Sequence, residues 1–136
     1  MHETLREKLE ELACAGYPYE SCGLLLGGSA DGECRVERVT RARNLNTERA
    51  ADHYELDPDD FAAADREARA AGLDIVGIWH THPDHPARPS ETDRAAAWSG
   101  WAYVIISVSR DGVQDLRSWR LNGEHFEEES IKPCRP

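Results

Sequence analysis

Near the N-terminus, Leu5, Leu9 and Leu12 recur at helical spacing in an otherwise charged stretch, and this period predicts an amphipathic helix over residues 3–14. Gly16, Tyr17 and Pro18 stop it, because glycine and proline continue helices poorly. The pattern then changes. Residues 22–27 are a short apolar run bounded by glycines, and residues 34–40 set Val36 and Val39 among charges. The Ala30-Asp31-Gly32 turn signal between them predicts a β-hairpin. A polar stretch follows over residues 43–57, in which Tyr54-Glu55-Leu56 reads as a short strand. Asp57-Pro58 then opens a second helix, with a capping residue followed by proline at the first helical position.

That helix carries Phe61, Ala64, Ala68 and Ala71 on one face and ends near Gly72. Residues 73–80 are continuously apolar apart from Asp74, the signature of a strand covered on both faces, and Pro83 ends the run. Three prolines within residues 83–89 make a stiff loop, after which Ser90 begins a third helix running to about residue 98. Residues 103–109 and 115–121 predict a second hairpin around Asp111-Gly112, and residues 125–129 an edge strand. The expected fold is one α/β domain over residues 1–136, a curved mixed β-sheet flanked by helices.

Composition narrows the function classes. With 26 acidic against 16 basic residues the formal charge is −10, which argues against nucleic acid or an anionic membrane surface as the main partner. No apolar run approaches the roughly 20 residues that span a bilayer, and the N-terminal residues lack the basic start and apolar core of a signal peptide. A cytoplasmic protein is expected. Cys14, Cys22, Cys34 and Cys134 form no CxxC pair, so no zinc knuckle or thioredoxin motif is suggested. Free thiols are expected, with a bridge from Cys22 to Cys34 as the less favoured alternative.

The chemistry concentrates at His80-Thr81-His82-Pro83. Histidines at i and i+2 at the end of a strand project to one face, so both imidazoles can reach one metal. Asp93, one loop later, offers a carboxylate, and three protein ligands on a tetrahedral ion leave a fourth position open for water. This combination reads as a catalytic zinc site, with one Zn2+ per chain. Thr81 points to the opposite face and reads as structural. His85, in the proline-rich loop, reads as solvent-exposed or substrate-contacting rather than as a ligand. Ser90-Glu91-Thr92-Asp93 also has the form of a capping box, a role compatible with a ligand role for Asp93. Trp79, Trp98, Trp101 and Trp119 read as core or rim aromatics. A nucleophilic role for Cys22 needs a histidine base, and the metal makes better use of His80 and His82.

Together these residues resemble the signature of the JAMM (MPN-plus) zinc metallopeptidases. That motif is a glutamate, then at a distance His-(Ser/Thr)-His-Pro, six residues, Ser, two residues and Asp. Every position is matched, and the segment around Glu20, Pro18-Tyr19-Glu20-Ser21-Cys22-Gly23-Leu24-Leu25-Leu26-Gly27, is similar to the glutamate-bearing segment of short prokaryotic members. The resemblance implies an MPN-type domain of cytidine-deaminase-like architecture, with His80, His82 and Asp93 as zinc ligands, Ser90 stabilising an oxyanion, and Glu20 as general acid/base. By itself Glu20 would pass for an ordinary turn glutamate. Glu91, the nearest rival base, is expected to face solvent.

What the family implies in turn is hydrolysis of a peptide or isopeptide bond after the C-terminal Gly-Gly of a ubiquitin-like or sulfur-carrier protein. The segment between Asp93 and Tyr103 is too short for the insertion, with its second zinc, found in chain-selective deubiquitinases of eukaryotes. Two alternatives stand beside this reading: a zinc amidase of a small molecule, and a non-catalytic MPN scaffold, although such scaffolds typically lose ligands that this chain keeps. A nucleoside deaminase would need His-x-Glu and Pro-Cys-x-x-Cys, which are absent. The loop over residues 43–53 is a candidate for closing over the groove.

Overall fold

In the computed structural model, residues 1–30, 33–46, 54–97 and 100–131 are described. In chain order the elements are α1 (Glu3–Gly16), β1 (Cys22–Ala30), β2 (Glu33–Ala42), α2 (Pro58–Ala70), β3 (Asp74–Pro83), α3 (Glu91–Ala96), β4 (Ala102–Ser109), β5 (Gly112–Asn122) and β6 (His125–Glu129). The six strands form one mixed sheet in the order β2-β1-β3-β4-β5-β6. All neighbours run antiparallel except β3 and β4, which are parallel. The expected α/β architecture, with both hairpins and the β6 edge strand, is present.

Each face of the sheet buries one amphipathic helix. Leu9 and Ala13 of α1 pack on Leu25, Val39, Trp79, Val104, Ile106 and Leu116. On the other face, Ala64 and Ala68 of α2 pack on Leu24 and Leu26, with Phe61, Ile75 and Ile78 partly buried beside them. Strand β3 is covered on both sides, as its apolar run predicts. Alternation along it turns Trp79 and Thr81 toward the α1 layer and Ile78, His80 and His82 toward the α2 layer. Gly23 lets the Trp79 indole donate to the carbonyl of Thr40 across β1 at 2.8 Å. A Cβ at Gly23 would collide with both groups.

Three expectations need correction. Tyr54-Glu55-Leu56 is not a strand; among the described residues one isolated bridge, Asn44 to Leu56, forms there. The third helix ends at Ala96 rather than near residue 98. Ala71 caps α2 and is exposed instead of sharing its buried face. The rim role for Trp98, most of the loop over residues 43–53, and Cys134 lie outside the described residues. Cys14, Cys22 and Cys34 are free thiols. Cys22 pairs with Ala42 and Cys34 with Ser29, at opposite ends of the first hairpin, so the alternative bridge between them does not form.

Candidate metal centre

The site lies where the parallel strand β3 ends and the chain crosses through α3 to β4. The carboxyl ends of parallel strands are where α/β sheets place their ligands. His80 is 1% exposed, and its Nε2 approaches Nε2 of His82 at 3.2 Å. Asp93, in the first turn of α3, closes the group: Oδ1 is 3.2 Å from His80 Nε2 and Oδ2 is 3.0 Å from His82 Nε2. A carboxylate oxygen of Glu20 and one ring nitrogen from each histidine also lie within 4.8 Å of one another. Both carboxylates line one small volume, and Asp93 is the one touching both rings.

These separations suit zinc. Bonds of about 2.0–2.1 Å put two donors on a tetrahedral ion roughly 3.3 Å apart, close to the spacing seen among His80, His82 and Asp93. Nδ1 of His82 lies 2.8 Å from the Pro86 carbonyl. That carbonyl can only accept, so Nδ1 carries a proton, and Nε2, the nitrogen facing His80 and Asp93, is the one left to bind a metal.

A profile of prokaryotic homologs of the JAB domain matches residues 2–122. The chain belongs to this family. It is 34% identical over 132 residues to a desampylase of Haloferax volcanii, covering 95% of this chain and 88% of the relative. It is 33% identical over 116 residues to the CysO-cysteine peptidase of Mycobacterium tuberculosis, covering 85% and 77% respectively. The solution structure of a Desulfitobacterium hafniense protein superposes with a TM-score of 0.87 at 29% identity, covering 99% of this chain and 92% of the other.

Hydrogen bonds to neighbouring elements frame the site of this JAB domain. Ser21, next to Glu20, is clamped to β3 twice: its N–H donates to Thr81 Oγ1 at 2.8 Å and its carbonyl accepts from Thr81 N–H at 2.9 Å. Thr81 is therefore structural, as expected, and its hydroxyl takes the place of a ladder carbonyl where β1 begins. Glu20 is 5% exposed, and its carbonyl accepts from Asn44 Nδ2 at 3.1 Å. The proline-rich loop is tied down by Ser107 Oγ donating to His85 O at 2.6 Å and Trp119 Nε1 donating to Ala87 O at 3.0 Å. His85 itself is exposed and outside the cluster.

Ser90 and Asp93 form a reciprocal capping box. Ser90 Oγ accepts from Asp93 N–H at 3.0 Å, and Asp93 Oδ2 accepts from Ser90 N–H at 2.8 Å. The Ser90 hydroxyl proton stays available to another acceptor. Glu91 is mostly exposed and paired with Arg94, which removes it as a rival base.

Burial and mutual contacts shift all three groups. Burial works to raise Asp93, but hydrogen bonds from His80, His82 and the Ser90 N–H hold it well below the usual carboxylate range. Burial pushes His80 below its ordinary value against the pull of Asp93. It also acts to lower His82, where contacts with Asp93 and the Pro86 carbonyl prevail and raise it.

Two residues at the site escaped the sequence reading. Tyr54 stacks on His80 with ring centroids 4.6 Å apart and planes 26° from parallel. Burial, reinforced by Asp93, pushes its phenol far above the ordinary value, so it stays neutral. Asn44 holds the backbones of both flanking segments, donating to Glu20 O and accepting from Glu55 N–H at 2.8 Å. The one available signal was an aromatic three residues before the Asp57-Pro58 helix start.

Proposed function

We propose that this chain is a zinc-dependent peptidase/isopeptidase that hydrolyses the bond after the C-terminal Gly-Gly of a ubiquitin-like or sulfur-carrier protein. The convergence of His80, His82 and Asp93 beside buried Glu20 carries this reading, in a chain similar along nearly its whole length to a desampylase. His80, His82 and Asp93 are the residues that hold zinc. Residues 1–136 act as one domain, and the free thiols of Cys14, Cys22 and Cys34 fit a reducing, cytoplasmic compartment.

Zinc bound there supplies a Lewis acid and makes a water nucleophilic at neutral pH. The Glu20 carboxylate takes the proton as the water oxygen adds to the amide carbon, and returns it to the nitrogen as the C–N bond breaks. The clamp of Ser21 on Thr81 and the bond from Asn44 fix the backbone on both sides of that carboxylate. The Ser90 hydroxyl donates a hydrogen bond to the carbonyl oxygen as negative charge develops there.

The test is cleavage of a panel of ubiquitin-like and sulfur-carrier proteins extended beyond Gly-Gly, by the zinc-loaded enzyme and by Glu20→Ala. Cleavage at that junction, lost in the variant, is expected. Zinc-loaded enzyme that leaves every carrier intact but hydrolyses a small amide would replace this reading with an amidase. Inactivity on both would favour a scaffold.

A further inference from the structure

The two histidines are held in different ways. His82 is fixed by its Nδ1 bond to Pro86 O, the usual device for orienting a metal-bound imidazole. His80 lacks that device: its Nδ1 is buried with no hydrogen-bond partner among the described residues. A ring with one nitrogen committed to a metal and the other unbonded can still swing about its χ torsions, and packing alone must stop it. On one face of His80 that packing is the ring of Tyr54.

Tyr54 is itself well anchored. Glu55, the next residue, donates its N–H to Asn44 Oδ1 at 2.8 Å and accepts from Leu45 N–H at 2.7 Å. Asp57 N–H donates to Arg43 O at 3.1 Å, and the Asp57 side chain caps α2. The backbone carrying the Tyr54 ring is thus fastened to the end of β2 and to the start of a helix. The same Asn44 side chain reaches Glu20 O, so one residue sets the distance between the Tyr54 segment and the Glu20 segment.

We propose that Tyr54 is a positioning residue of the metal centre: its stacked ring does for His80 what the Pro86 carbonyl does for His82. The inference rests on His80 and His82 being metal ligands. The ring, not the hydroxyl, performs the role, so phenylalanine serves in its place and an aliphatic side chain does not. The expected loss is of the size found when a partner that orients a metal-bound imidazole is removed, about 10- to 100-fold in metal affinity.

The experiment compares wild type, Tyr54→Phe, Tyr54→Leu, Tyr54→Met, His82→Ala and Leu9→Ala. The last is a core truncation on the opposite face of the sheet that controls for general destabilisation. Zinc affinity is read by competition with a chromophoric chelator, and ligand geometry by the visible absorption of the Co2+ form. Tyr54→Phe is expected within about twofold of wild type with an unchanged cobalt spectrum. Tyr54→Leu and Tyr54→Met should lose about 10-fold or more and show an altered spectrum, while Leu9→Ala changes neither. Wild-type affinity and spectrum in whichever aliphatic variant folds would overturn the proposal, as would a loss in Tyr54→Phe equal to that in Tyr54→Leu. If His82→Ala also binds zinc as wild type does, the metal-centre reading falls together with it.

Discussion

Cys22 lies two residues beyond Glu20, its thiol 3.8 Å and 3.9 Å from the carbonyls of Ala42 and Arg43. Burial, with Glu20 and Asp60 adding to it, pushes the thiol up to about 12. The thiolate is the reactive form, and it becomes populated only as pH approaches that value. Iodoacetamide at pH 8 should therefore label exposed Cys14 and leave Cys22 untouched until the protein is denatured, as read by peptide mass mapping. Native labelling of Cys22 would contradict its burial. Substitutions at the site should separate binding from chemistry. His82→Ala or Asp93→Ala should abolish stoichiometric zinc, measured by elemental analysis after dialysis, whereas Glu20→Ala should keep zinc and lose turnover. A fully active Glu20→Ala would remove Glu20 from the mechanism. Gly23→Ala forces a methyl against Thr40 O and the Trp79 indole. It should lower stability by about 1–3 kcal/mol in urea unfolding, the usual size for overpacking a dense core.

Within elements, one short helix serves two ends. The capping box of α3 fixes Asp93 where it meets both imidazoles, so the device that starts the helix also aims the carboxylate. Ser90→Ala removes the cap, which should cost about 1 kcal/mol, and removes the hydroxyl donor, which should lower kcat about 10²-fold. A Tm shift alone, with kcat unchanged, would leave Ser90 with capping only. This region also shows why parts of the molecule were legible in the sequence. Strand β3, both hairpins and the helix caps follow local rules of period, turn and cap, and the i, i+2 spacing placed His80 and His82 on one face. Glu20 was reached only through the family motif, because nothing local distinguishes it from the other acidic residues. Tyr54 and Asn44 were missed because their roles come from tertiary contacts: a stack on a strand 26 residues away in sequence, and an amide bridging two segments that no periodic pattern links. The Tyr54-Glu55-Leu56 segment alternates like a strand, yet among the described residues it finds one bridge partner and no ladder.

At the scale of the molecule, the groups that surround the candidate metal come from separate parts of the chain: Glu20 just before β1, His80 and His82 on β3, and Asp93 on α3. β3 lies inside the sheet, between β1 and β4, with a helix layer on each face. A metal joining β3 to α3 therefore ties a short helix to the centre of the fold. Without it, the Asp93 carboxylate lies directly against the Nε2 atoms of the two imidazoles. An unfolded chain cannot present this arrangement, so metal binding adds directly to folding stability. Free zinc at 100 times its Kd should stabilise the native state by about 2.7 kcal/mol, provided the unfolded chain does not compete for the ion. The measurement is Tm against buffered free zinc. A rise that continues with the logarithm of zinc concentration in wild type, and is absent in Asp93→Ala, is the expected result. An equal rise in Asp93→Ala would place the stabilising ion elsewhere on this acidic surface, and the contacts between Asp93 and the two histidines would then be a hydrogen-bonded cluster instead of a metal centre.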